Sequence, residues 1–455
     1  MSLQQLLDPQ SIAVIGASKD KTKVGYAAMR NATEFDGPVY PVNPRASGHL
    51  FGRDFVGSVN EIEGSVDLAL VCVPPPVVPD VLRECGEKEI GGAVIFAGGF
   101  SEATDEGEEL ESEIKEIADE NGISLLGPNT SGFISPSTGV RASFVPHVER
   151  IPAGDTSIVA QSGGINHALA FESYSDGRGL SKAIGLGNRA NTGFQEVIRY
   201  LDGDENTNSI VVHIEGTDDA RGLVETCREI DTPVVAYKVG KEDVGDFARS
   251  HTGSLTGDYD LYQAAFSQYG VPTVRSCLEL LDVGYALARS PEPKGTNVGV
   301  VTAQAGPGIA ITDRLKSAGA NLPRLSEETQ DEIEKVLPGI TFSDNPVDTG
   351  RPMPEFGDVV EAVARDENID IVVVYELYEE GLDYPVGVLD GLAEDTGKPI
   401  LFVTDGPSDI MEDAINDLER VVPTFRTPER GADAVCGLVR YARMSNRGKE
   451  VVDNE

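Results

Sequence analysis

At 455 residues the chain has room for about three domains of roughly 150 residues each. Its 76 Asp and Glu against 37 Lys and Arg give a formal net charge of -39, which excludes nucleic acid and anionic membrane surfaces as partners. The acidic excess is spread along the chain, Arg is preferred to Lys, and Trp is absent. In molar salt the Debye length shrinks to about 3 Å, so such self-repulsion is screened, and the composition reads as that of a halophile's cytosolic protein. The five cysteines, Cys72, Cys85, Cys227, Cys277 and Cys436, are odd in number and far apart. Neither a disulfide framework nor a metal site is expected. Met1 to Gln10 is polar, which predicts no signal peptide, and no apolar run reaches a membrane span. The expected location is the cytoplasm.

Ser11 to Ile15 is a β-branched run ending in Gly16-Ala17-Ser18, and Val24 to Asn31 reads as the start of a helix. A buried strand turning through glycine into a helix is a phosphate cradle, because unpaired N–H groups and the helix dipole face the anion. The second strand begins Val39-Tyr40-Pro41-Val42-Asn43 and lacks the terminal Asp or Glu that would hold an adenosine ribose, which argues against NAD. Further strands are predicted over Leu68 to Val73, ending in prolines from Pro74, over Gly92 to Phe96, leading into Ala97-Gly98-Gly99-Phe100, and over Ile123 to Leu126, leading into Gly127-Pro128-Asn129. Acidic helical segments separate these last three, so the repeating βα unit predicts a parallel doubly wound sheet with ligand loops at its strand C-termini.

Pro146 to Asp155 opens a second unit. Ser157 to Ala160 is a strand, and Gln161-Ser162-Gly163-Gly164 turns it into a second anion-facing helix. Strands follow at Ala183 to Leu186, Ser209 to Ile214 and Val234 to Tyr237, the second of them ending in Glu215-Gly216. The third of these leads through Tyr237-Lys238-Val239-Gly240 to Ser250-His251-Thr252-Gly253, and an amphipathic helix starts near Asp258. A further break at Ser290 to Gly295 starts a third unit, in which the strand Val298 to Thr302 leads through Ala305-Gly306-Pro307-Gly308 into a helix, with Pro307 suited to its first turn. Buried strands at Ile369 to Tyr375 and Pro399 to Val403 continue the alternation. The expected domains are 1–145, 146–290 and 291–455.

An imidazole in a Gly/Ser/Thr stretch can act as a nucleophile near neutral pH when its other nitrogen is held by an acceptor. Glu215, at the C-terminal edge of the sheet whose later strand leads to His251, is the candidate acceptor. A carboxylate there would fix the tautomer and support the charge that develops on phosphorylation. Two helix starts, a loop histidine and a strand-end glutamate together predict a phosphohistidine site.

These residues resemble the α subunit of the NDP-forming acyl-CoA synthetases, the ADP-forming acetyl-CoA synthetase group of the succinyl-CoA synthetase superfamily, with the charge balance of a haloarchaeal member. Eight stretches carry the resemblance in order: Val14 to Ser18, Tyr40 to Pro44, Ala97 to Glu102, Gly127 to Asn129, Gln161 to Gly163, Ile214 to Gly216, Ser250 to Gly253 and Asn345 to Asp348. It implies a Rossmann-like CoA-binding domain followed by two flavodoxin-like domains. His251 would be the phosphorylated histidine and Glu215 its orienting partner. Phosphate would be held by Ser162, Gly163 and Gly164 and by Gly306 and Gly308, and coenzyme A by Gly16, Ser18, Asn43, Val73, Pro74 and Asn129. Three departures stand out: Ala305 where the family has Gly, Thr130 where it has Cys, and Asn191 where an Asp is common.

No stretch here matches the family's ATP-grasp nucleotide module. The resemblance therefore implies a separate ATP-grasp β subunit in an α2β2 assembly, carrying Mg2+ and ADP or ATP. The implied reaction converts acyl-CoA, phosphate and ADP reversibly to carboxylic acid, CoA and ATP. The alternative is a non-catalytic CoA-binding regulatory protein, which would share the first domain but have no use for His251, Glu215 and both helix starts.

The charge balance carries its own test. Thermal unfolding should shift to higher temperature as KCl is raised from dilute to molar, because like charges are screened. A melting temperature indifferent to salt would remove the halophile reading.

Overall fold

The computed structural model describes residues 3–217, 219–241, 259–337, 339 and 341–452. The chain divides into two compact units, Met1–Ala265 and Phe266–Glu455.

The first unit holds two sheets. Its strands are β1 (Ile12–Ile15), β2 (Val39–Val42), β3 (His49–Leu50), β4 (Arg53–Asp54), β5 (Leu68–Val71), β6 (Gly92–Ile95) and β7 (Ser124–Leu126), then β8 (Gly132–Ser135), β9 (Val140–Ser143), β10 (Thr156–Ala160), β11 (Ala183–Gly185), β12 (Ser209–Ile214) and β13 (Val234–Lys238). The first sheet runs β2-β1-β5-β6-β7, all parallel, with β3 and β4 forming a separate two-stranded ribbon. β1, β5 and β6 are buried at every position, as parallel strands covered on both faces must be.

The second sheet runs β13-β12-β10-β11-β8-β9, parallel as far as β11 and closed by the antiparallel pair β8 and β9. These last two strands precede the boundary expected at 145, yet they pair with the second sheet. Asn31, on the helix Val24–Ala32, ties them back to the first sheet by donating to the carbonyls of Ser143 at 2.7 Å and Val145 at 2.8 Å.

The second unit carries β14 (Val298–Thr302), β15 (Val347–Asp348), β16 (Ile371–Tyr375), β17 (Ile400–Val403) and β18 (Thr424–Phe425), in the all-parallel order β15-β14-β16-β17-β18. The helix Cys277–Ala288 falls on the second domain's side of the boundary expected at 290, but it packs within this unit. Its Asp282 accepts two hydrogen bonds from Arg430, at 2.8 and 2.6 Å, and its Glu279 accepts one from Arg440 at 2.6 Å.

In each sheet the strand order reverses beside the first parallel strand of the unit, β1, β10 or β14. Such a reversal leaves a crevice at the strand C-termini, between the loops that leave on opposite faces.

Candidate functional site

At the end of β1 the backbone of Gly16 takes φ +87, and a Cβ there would lie 2.7 Å from the carbonyl oxygen of Cys72. Gly25, second residue of the helix Val24–Ala32, is pressed closer still: a Cβ would stand 2.1 Å from the Gly16 carbonyl oxygen. The helix N-cap, Lys23, makes no side-chain capping bond, so the first N–H groups remain for an anion. Beside them opens a cleft of about 890 Å³, at the ends of β1, β2, β5 and β6.

Gly16, Ser18, Asn43, Val73 and Pro74 line this cleft, as do Lys23 and Arg45. The two cations escaped the sequence reading, although basic residues beside a predicted helix start in so acidic a chain were the available signal. Asn43 braces the cleft: its Nδ2 donates to the Ala17 carbonyl at 2.8 Å and its Oδ1 accepts the Arg45 N–H at 2.9 Å. Cys72 also lines it, but burial pushes its thiol far above the ordinary range, so it stays protonated and unreactive.

Asn129 is the exception among the expected coenzyme A residues, for it does not belong to the cleft lining. At φ +59 the chain turns there, its N–H donates to the Ala97 carbonyl at 2.9 Å, and its side chain reaches Asn188 Oδ1 at 3.3 Å. Asn188 in turn donates to Glu102 at 2.6 Å and Glu111 at 2.8 Å, while Glu102 accepts the Gly99 N–H at 2.5 Å. Two of the stretches that carry the resemblance, Ala97 to Glu102 and Gly127 to Asn129, therefore meet with Asn188 at one joint between the two sheets. Asn191 faces the same joint from its other side, accepting the Leu125 N–H at 2.8 Å and donating to the Ile123 carbonyl at 2.9 Å. Its departure from Asp leaves that docking intact.

In the second sheet β10 turns through Gln161 into the helix Gly163–Ser175, whose N-cap Ser162 accepts the Ile165 N–H. Gly163 must be small, because a Cβ would meet Ser131 Oγ at 2.6 Å, whereas Gly164 has nothing nearer than 3.8 Å and is exposed. Glu215 follows β12 directly. Its N–H and that of Gly216 both donate to Gln161 Oε1 at 3.0 Å, and the Gly216 carbonyl accepts Arg189 Nη1 at 2.7 Å. The glutamate's backbone and the Ser162–Gly164 helix start are thus joined through one side-chain amide.

In the second unit the helix Ala305–Ser317 begins after Gln304, which gives no side-chain cap and whose Oε1 accepts the Leu377 N–H at 3.1 Å. Gly308 is again a close approach, with Thr302 Cγ2 at 2.5 Å from a Cβ, while Gly306 is open.

His251 lies outside the described residues. The four described histidines are accounted for. His167 is buried between Ser131 Oγ at 2.9 Å and Ser143 Oγ at 3.1 Å, and burial lowers its pKa. His213, on β12, is pushed down to about 4 by burial and by the Lys238 charge. His49 and His147 are exposed and pair with Asp54 at 2.7 Å and Glu149 at 3.5 Å. Among the described residues no group of three His, Cys, Asp or Glu could hold a metal ion, and no helix is long and apolar enough to cross a membrane.

Residues 10–136 match the CoA binding domain family, and residues 153–287 the succinyl-CoA ligase like flavodoxin domain family. The α subunit of the ADP-forming acetate–CoA ligase II of Pyrococcus furiosus is 33% identical to this chain, over 98% of this chain and 99% of that one. The chain belongs to the ADP-forming acetate–CoA ligase family. The ligase I of Archaeoglobus fulgidus is a longer member, 34% identical, in which the match covers 99% of this chain but 66% of the relative. Among solved ligases of this kind, the acetyl-coenzyme A synthetase 1 of Ca. Korarchaeum cryptofilum, in complex with phosphate and ADP, superposes with a TM-score of 0.89 at 29% identity, covering 99% of each chain. The ligase fold thus brings the CoA-binding family match onto the cleft sheet and the flavodoxin-like match onto the sheet that carries Glu215.

The closest approach in the cleft yields a test. Gly25→Ala should drive the helix start away from the Gly16 loop and raise the coenzyme A Kd by about tenfold, the scale of overpacking by one methyl. Calorimetric titration with coenzyme A reads this directly, and an unchanged Kd would remove the helix start from the binding site.

Proposed function

We propose that this chain is the α subunit of an ADP-forming acyl-CoA synthetase, with acetyl-CoA as the reference substrate, in which His251 is phosphorylated and Glu215 orients it. The observation that carries the reading is the Glu215 peptide bonded through Gln161 to the residue pair that starts the second helix, in a chain that matches a named α subunit end to end.

In the first step a phosphate oxygen attacks the thioester carbonyl, the C–S bond breaks, and CoA leaves as thiolate from the acyl phosphate. The His251 imidazole then attacks phosphorus, the bond to the acyl oxygen breaks, and the carboxylate leaves. Last, an oxygen of the ADP β-phosphate takes the phosphoryl group and the N–P bond breaks. Helix N-termini suit this sequence, since phosphoryl transfer is mainly positioning and charge stabilisation. Ser162, Gly163 and Gly164, with Gly306 and Gly308, hold phosphate in this scheme. Gly16, Ser18, Asn43, Val73 and Pro74 hold coenzyme A, with Asn129 acting through the Asn188 joint.

We further infer three functional domains, near 1–145, 146–290 and 291–455 along the sequence, that exchange elements at both boundaries, β8 and β9 pairing with the second sheet and the helix Cys277–Ala288 packing in the second unit, and a cytoplasmic, high-salt setting consistent with the charge of -39. An ATP-grasp β subunit supplies the nucleotide site with its Mg2+ in an α2β2 assembly. The match to a relative named as an α subunit supports a separate partner subunit.

With labelled ATP and Mg2+, the reconstituted complex should label this chain in an acid-labile, base-stable form, and His251→Ala should abolish the label. Glu215→Gln should keep coenzyme A binding and slow phosphoenzyme formation about a hundredfold, the scale of removing one electrostatic stabiliser. Label that persists in His251→Ala would sink the assignment, and coenzyme A binding without any label would favour a regulator.

The division of labour is tested separately. The chain alone should bind coenzyme A yet make no ATP from acetyl-CoA, phosphate and ADP until an ATP-grasp subunit is added. ATP made by the homogeneous chain would refute the partition.

A further inference from the structure

The three residues from Glu215 to Thr217 form a short stretch outside any strand or helix, and side chains from four separate places in the fold hold its backbone. Gln161 takes the N–H groups of Glu215 and Gly216, and Arg189 takes the Gly216 carbonyl. The remaining bonds come from two residues that the reaction scheme above does not use. Lys238 Nζ donates to the Glu215 carbonyl at 3.0 Å and also to the Val239 carbonyl. The Tyr262 hydroxyl accepts the Thr217 N–H at 2.9 Å and donates to the Thr217 carbonyl at 3.0 Å.

Lys238 and Tyr262 are themselves in contact, with Nζ 5.0 Å from the ring centroid. Both are buried, Lys238 at 1% exposure. A buried ammonium is costly unless it is paired and hydrogen-bonded. Here two carbonyls and a ring face compensate it. Burial lowers the Lys238 pKa and the Glu215 charge opposes that shift, so cation and carboxylate sense each other. A methionine would fill the same space without any such requirement, so the charge has a use beyond packing.

Their places in the chain show what that use is. Lys238 is the last residue of β13, and Tyr262 lies on the helix Tyr259–Tyr269. Between them in sequence runs the stretch that contains His251. Both flanks of that stretch are therefore fastened to the same three residues that begin with Glu215.

We infer that Lys238 and Tyr262 are positioning residues for phosphoryl transfer: they fix the Glu215–Thr217 backbone and hold a compensating cation beside the Glu215 carboxylate. This rests on the assignment of His251 and Glu215 above.

The test uses the reconstituted complex with Lys238→Met, Lys238→Arg, Tyr262→Phe and the Lys238→Met/Tyr262→Phe double variant. Misplacing a reacting group by about 1 Å costs up to about a hundredfold. Lys238→Met should accordingly lower kcat and the rate of phosphoenzyme formation by about ten- to a hundredfold, with KM for CoA unchanged. Lys238→Arg should recover most of the loss. Tyr262→Phe should cost several-fold, and the double variant should be little worse than Lys238→Met, because both act through one stretch of backbone. Wild-type kcat in Lys238→Met, or a loss that arginine does not rescue and that raises KM equally, would overturn the inference. Should Lys238→Met fail to fold, Tyr262→Phe removes a single hydroxyl and decides alone: an unchanged rate of phosphoenzyme formation overturns it. Failure of the underlying assignment is distinguishable, since wild-type complex would then carry no label on His251.

Discussion

A parallel strand that turns directly into a helix leaves the first N–H groups of that helix unpaired over the strand's C-terminal end. This chain makes that turn after β1, β10 and β14, and close approach, of Gly25 to the Gly16 carbonyl, of Gly308 to Thr302 and of Gly163 to Ser131 before β8, explains its glycines better than turn geometry does. Gly25, Gly163 and Gly308 all sit in the first turn of their helices, where a Cβ would lie 2.1, 2.6 and 2.5 Å from the nearest atom. Gly164 and Gly306, beside two of them, meet no such wall. Packing fixes one glycine at each helix start, and in the second and third sheets the open glycine next to it leaves room beside the N–H groups.

Binding anions is an unusual task for a chain of charge -39, because its overall field repels phosphate. The structure meets this locally. Lys23 and Arg45 stand at the cleft, and Arg189 and Lys238 surround the backbone at Glu215. Helix dipoles and peptide N–H groups add attraction without adding mobile charge. Salt screens exposed charges more than buried ones, so this distribution weakens the distant repulsion at high ionic strength while it leaves the contacts at the site largely intact.

The sequence was most legible where burial is complete. β12 and β14 were expected at their observed limits, and β1, β5, β6, β10 and β17 within two residues, because β-branched runs covered on both faces have few other readings. The antiparallel pair β8 and β9 was not seen, although it too is buried throughout. Gly132–Ser135 and Val140–Ser143 mix Gly, Ser and Arg with apolar residues over four positions each, too few to establish a period. The packing of the helix Cys277–Ala288 was not legible for a related reason: its partners Arg430 and Arg440 lie about 150 residues on. At the site the turns and strand-end residues could be read as local patterns. The side chains that hold them could not, since Gln161 and Tyr262 reach the Glu215–Thr217 backbone across 54 and 45 residues.

The histidines bring these strands of argument together. A phosphoryl acceptor must be reachable, unprotonated and held by an acceptor at its other nitrogen. His167 is unprotonated, but two serine hydroxyls occupy both of its nitrogens. His213 is unprotonated for the same reason, reinforced by a lysine charge, and it is buried on β12. His49 and His147 are open to solvent, each against a carboxylate. The two buried histidines therefore each lack one of the needed conditions. The fifth is the one whose flanking residues, Lys238 and Tyr262, are both bonded to the stretch that begins with Glu215, next to the helix start at Ser162–Gly164. In the reaction scheme proposed above, His251, the Glu215 carboxylate and the helix start must be held to one another, and the Glu215–Thr217 backbone is where the described restraints meet.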